Sequence, residues 1–145
     1  MDMPLTGLLP DVLVIDLPEV DAQHEEIFGR IEALKSACIE SGDVPIEELE
    51  SLSTCFVEHF ATEERIAEQA GLDFSEHIKI HRMNLRVFRR AIEELRSGVR
   101  DGYSFMRYME LWFERHILEY DQPFAASLKP RKRYRAASMQ ISASL

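Results

Sequence analysis

The chain has 145 residues, 46% hydrophobic and 30% charged, with six glycines, six prolines and two cysteines. That balance suits a globular chain with one disulfide-independent core, and it excludes disordered, collagen-like and turn-rich all-β classes. The last seventeen residues hold five of the 17 bases and none of the 26 acids, so residues 1–128 set 12 bases against 26 acids, a body too acidic for nucleic acid, while no apolar run reaches the roughly 18 residues of a membrane span.

Residues 1–17 read as an extended arm, because Pro4, Gly7 and Pro10 interrupt any helix. The arm lacks a basic segment followed by a long apolar one, so it does not read as a secretory signal; a cytoplasmic chain is expected, with Cys38 and Cys55 as free thiols. Pro18 suits a first helical position. From there Val20, His24, Ile27, Ile31, Leu34 and Cys38 recur at threes and fours, one stripe of an amphipathic helix that Ser41-Gly42-Asp43 ends. Pro45 opens a second helix, to about residue 70, with an inner stripe of Leu49, Leu52, Phe56, His59, Glu63 and Ile66. Gly71 stops it.

A third stripe, His77, His81, Leu85, Phe88, Ile92 and Leu95, ends at Ser97-Gly98. After Asp101-Gly102 a fourth follows, Phe105, Met109, Trp112, His116 and Tyr120, running to about Leu128. Four helices of about 30–38 Å on short links predict an all-α, up-down-up-down antiparallel four-helix bundle over residues 18–128. Residues 129–145, with Lys129, Arg131, Lys132, Arg133 and Arg135, read as a separate basic tail able to touch a protein partner or an anionic surface.

All five histidines fall on these inner stripes, where a bundle normally prefers Leu. One buried imidazole can be satisfied by a neighbour, but five would demand a large polar network, and a metal cluster satisfies them together. His59 and Glu63 are four apart, about 40° around a helix, so both reach one centre; His77 and His81 repeat that spacing. His24, His116 and Asp121 complete a set of five imidazoles and two carboxylates, too many ligands for one ion and suited to two that share carboxylates. Glu-x-x-His pairs of ferritin-like diiron bundles and the H-E-x-x-H of zinc proteases are absent from it. Residue type alone leaves iron, zinc, copper and nickel open.

The segments DAQH (21–24), HFATEE (59–64), HIKIH (77–81) and WFERHILEYD (112–121) resemble the hemerythrins, specifically the bacterial single-domain type, over about residues 12–128. The resemblance implies two iron ions joined by an oxo or hydroxo bridge. His77, His81 and His116 would cap one iron, His24 and His59 would hold the other and leave it an open position, and Glu63 and Asp121 would bridge. O2 would then be the small-molecule ligand. A dry pocket is required to keep bound oxygen from being released as peroxide; its candidates by position are Ile27, Phe60, Trp112, Phe113 and Ile117. The arm tryptophan usual in the family is replaced here by Leu13 and Val14.

The expected function is reversible O2 binding for storage, delivery or sensing, without catalysis. The alternatives are a diiron redox enzyme acting on peroxide or nitric oxide, and an iron- or O2-responsive regulatory module. Glu119 is the nearest extra acid to His116, and Cys55 lies one turn before His59. One local irregularity is expected. His116 and Asp121 are five apart, about 140° out of register on a regular helix, and Pro123 removes an N–H from the following turn. Either the centre spreads across the helix face or the turn widens to an i→i+5 pattern; Pro123 favours the second, so an irregular ladder is expected between 116 and 124.

Overall fold

A computed structural model describes residues 9–128. The start of the arm and the basic tail at 129–145 lie outside the described residues. Helix α1 spans Pro18–Ser41, α2 Ile46–Gln69, α3 Ser75–Arg96 and α4 Gly102–His116, with no strand among the described residues. Together they form a four-helix bundle in which α1 packs against α2 and α4, and α2 against α3.

Local chemistry accounts for the helix ends. Pro18 occupies the first turn of α1, where no intrahelical N–H partner is needed. Gly42 closes α1 in the left-handed region at φ 82°, its N–H bonded to the Cys38 carbonyl, a conformation that costs a residue with a Cβ. Asp101 caps α4 by accepting the Ser104 N–H.

The interior is the set of stripes read from periodicity. Ile27, Ile31, Leu34, Leu49, Leu52, Phe56, Phe88 and Phe105 are all buried in one apolar cluster. Lys35 adds a polar clasp from α1 to α4, with Nζ 2.9 Å from Glu110.

The arm departs from a purely extended segment. Asp11–Leu13 form a 3-10 turn, and Leu9, Leu13 and Ile15 are buried in the bundle's core. Ile15 is anchored because its N–H donates to the buried Asp21 Oδ1 at 2.9 Å. Removing that acceptor strands a buried donor. Asp21→Ala should cost about 1–3 kcal/mol, measurable as a lower chemical-denaturation midpoint with unchanged slope.

Beyond α4 the chain winds as a π-helix over Ile117–Asp121 and returns to α-helix at 122–128. The Gln122 N–H bonds to the Ile117 carbonyl, five residues back. The expected widening is present, and it corrects one expectation of the fourth stripe. Tyr120, read as an inner residue, is 37% exposed. The widened turn inserts one residue, so the inward place one turn after His116 falls to Asp121, which is fully buried.

Candidate metal centre

Each helix delivers its histidines to one level of the bundle. His24 comes from α1, His59 and Glu63 from α2, His77 and His81 from α3, His116 from α4 and Asp121 from the π segment. Two groups result, each with donor atoms within 4.8 Å of one another: Glu63, His77, His81 and His116, and His24, His59, Glu63 and Asp121. Glu63 belongs to both.

The carboxylates lie between the groups. Asp121 turns Oδ1 toward His77 and His116, 3.4 Å from each Nε2, and Oδ2 toward His24 Nε2 at 3.2 Å. Glu63 Oε1 is 3.1 Å from His81 Nε2 and 3.6 Å from His59 Nε2. These atoms are close without being hydrogen-bonded: both oxygens of Glu63 and of Asp121, and Nε2 of His77, His81 and His116, are buried and have no hydrogen-bond partner. Orphans of that number are costly unless a common partner satisfies them. His24 Nε2 and His59 Nε2 stand 3.1 Å apart. Two nitrogens at right angles, each about 2.0–2.2 Å from one ion, would be about 3 Å apart. The donor set fits cations.

Protonation is arranged to match. Burial, reinforced by the neighbouring imidazoles, holds His59 well below the ordinary histidine range and brings His81 down to about 3. Both are neutral at pH 7, with a lone pair to donate. Burial and the adjacent Asp121 push Glu63 well above the usual carboxylate range. For Asp121 burial acts upward too, but the imidazoles of His116, His24 and His77 outweigh it and hold the carboxyl well below that range. A positive ion between the two carboxylates would relieve Glu63's repulsion.

Residues beside the ligand candidates set ring orientation, and the sequence reading did not identify them. Thr62 donates its hydroxyl to the Glu58 carbonyl at 3.0 Å, so its oxygen accepts from Gln23 Nε2 at 2.9 Å. That fixes the amide, whose Oε1 accepts from His59 Nδ1–H at 3.0 Å and leaves Nε2 as the donor to the centre. His81 Nδ1–H donates to Glu64 at 3.1 Å. One imidazole thus leans on a neutral amide and the other on a carboxylate. Their only sequence signal is adjacency, Gln23 before His24 and Glu64 after Glu63. Glu64→Gln keeps the hydrogen bond but removes the charge, and should lower cation affinity at the three-histidine group about 10–100-fold, read by competitive metal titration.

The pocket candidates divide between the two groups. Phe113 packs edge-on against His24, with ring centroids 5.2 Å apart, and lies 6.1 Å from His59. Phe60 stacks on His81 at 3.9 Å and Trp112 on His116 at 5.3 Å. Ile27 and Ile117 are buried core residues. Cys55 is not part of the centre: its thiol donates to Glu26, and burial pushes it up to about 11. Glu119 is exposed and pairs with Arg115.

The sequence model of the hemerythrin HHE cation binding domain matches residues 16–127. The chain belongs to this family. No curated protein sequence matches it. The hemerythrin match covers all four helices and every residue of both donor groups, a cluster of His, Glu and Asp side chains that could hold metal cations. No helix among the described residues is long and apolar enough to cross a membrane.

Proposed function

We propose that this hemerythrin-family chain holds two iron ions and binds O2 reversibly. The observation that carries the reading is the pair of donor groups sharing Glu63, with the two oxygens of Asp121 turned one to each group. His77, His81 and His116 would hold one ion, His24 and His59 the other, and Glu63 and Asp121 would bridge, with an oxo or hydroxo group completing the pair. The two-histidine position has one imidazole fewer, which leaves room for an outside ligand. A ferrous pair supplies two electrons that O2 can accept and return.

The surrounding residues support binding over turnover. Ile27, Phe113 and Ile117 are at most 1% exposed, and Phe113 packs against His24, so an apolar wall backs the two-histidine side. The Gln23–Thr62 relay keeps His59 in one tautomer.

The test is metal analysis with an optical spectrum. Reconstitution under anaerobic reducing conditions should give two irons per chain. Admitting air should raise a visible charge-transfer band that disappears when O2 is removed, over repeated cycles. One iron or none per chain would overturn the diiron reading. Consumption of added peroxide or nitric oxide with no reversible band would replace the carrier by an enzyme.

A further inference from the structure

The seam between α3 and α4 is the open side of the bundle, since these two helices do not pack as closely as the other neighbours. It holds a cavity of about 190 Å³ with Phe56, Phe60, Phe88, Met109 and Trp112 among its walls. A second cavity of about 180 Å³ continues along the seam and shares Met83, Asn84 and Trp112 with the first. The rim of the first cavity is apolar and uncovered: Met83, Val87 and Tyr108 are 51%, 53% and 53% exposed.

One residue does not fit a plain packing defect. Asn84 lines both cavities, and its amide nitrogen is buried without a hydrogen-bond partner. A Leu at this helical position would be a better helix former of similar shape and strand no donor. The amide torsion of Asn is soft, so the group can turn toward an acceptor placed in either cavity. Neither cavity approaches the roughly 300–1,000 Å³ usual for drug-sized ligands, so the occupant is small. Aromatic walls favour a ring stacked offset or edge-on against them.

We propose that the α3–α4 seam is a binding site for a small aromatic compound carrying one carbonyl oxygen, its ring among Phe56, Phe60 and Trp112 and its oxygen accepting from Asn84. The first cavity is lined by none of the metal-ligand candidates and lies one ring away from them, whereas the second is bordered by His116 itself. Phe60 and Trp112 form the first cavity's wall and also stack on His81 and His116. Occupancy is therefore placed to bear on the orientation of two imidazoles of the three-histidine group.

The experiment uses the full chain and its single tryptophan. Trp112 fluorescence is titrated with acetophenone and, as a near-isostere without the acceptor, α-methylstyrene, in metal-free and metal-loaded protein. Saturable change with both ligands is expected, with acetophenone binding about three- to tenfold more tightly. Asn84→Leu should erase that preference while retaining native helicity, and Val87→Phe, which fills the rim, should weaken both ligands. Reading binding at Trp112 in metal-free protein keeps this result independent of whether iron or O2 binds. Absence of saturation in the parent protein, or an acetophenone preference that survives Asn84→Leu, would overturn the site. If Val87→Phe does not fold, the acetophenone to α-methylstyrene ratio in Asn84→Leu decides alone.

Discussion

Glu63→Gln should abolish tight cation binding at both donor groups and leave a metal-free protein more stable than its parent. Both effects come from one side chain. Glu63 is the ligand candidate common to the two groups, so neither keeps its full donor set without it. In the metal-free protein it is a buried acid beside Asp121, held above its ordinary range by burial and by that neighbour. Glutamine has nearly the same shape and no charge to desolvate, so the variant escapes the penalty that burial and Asp121 impose on ionised Glu63.

The sign of its pH dependence is fixed. A carboxyl whose folded pKa lies above its unfolded value of 4.5 contributes stability fully below pH 4.5 and loses it as pH rises through the folded pKa. The variant's advantage should therefore be absent near pH 4 and grow above pH 4.5. Thermal melts of metal-free parent and variant across that range check it. Equal metal content in the two proteins would remove Glu63 from the centre.

The second large effect is that of metal removal. Chelation should expose the orphaned Nε2 and carboxylate atoms as buried unpaired groups and cost the free energy of cation binding. At a thousandfold excess of metal over Kd that is about 4 kcal/mol, or a Tm lower by roughly 10–20 °C for a domain of this size. An unchanged Tm with metal fully removed would show that the cluster does not contribute to the fold.

Acid should act in the same direction on the metal-free chain. His81 titrates near 6.5 when unfolded and about 3 when folded, so between these values the unfolded chain binds more protons. Its contribution is fully present above pH 6.5 and falls as pH drops toward 3. His59 shifts the same way. Glu63 opposes them between pH 4.5 and 6.5, so the decline should be steeper in metal-free Glu63→Gln than in the parent.

Much of this protein was determined by sequence periodicity alone. A helix repeats every 3.6 residues wherever it lies, so the spacing of Val20, His24, Ile27, Ile31 and Leu34 already states which face is buried. Placing histidines on those faces announces a polar centre for the same reason. The π-bulge was legible too, because the five-residue spacing of His116 and Asp121 conflicts with a regular helix and Pro123 weakens the competing ladder. Tyr120 was misplaced because its stripe was continued at 3.6 residues through the bulge.

Tertiary structure decided what depends on the rotation of one helix against another. Gln23 meets Thr62 and His59 across 39 and 36 residues, and Glu64 reaches His81 across the α2–α3 turn. The carboxylate of Asp21 reaches back to Ile15 and draws the arm into the core. No local pattern encodes these meetings, since Gln, Thr and Glu beside a ligand read equally well as solvated surface. The division of Asp121 between two histidine groups and the opening of the α3–α4 seam have the same origin. Periodicity sets which way each side chain faces on its own helix, whereas partners are set by how four helices pack.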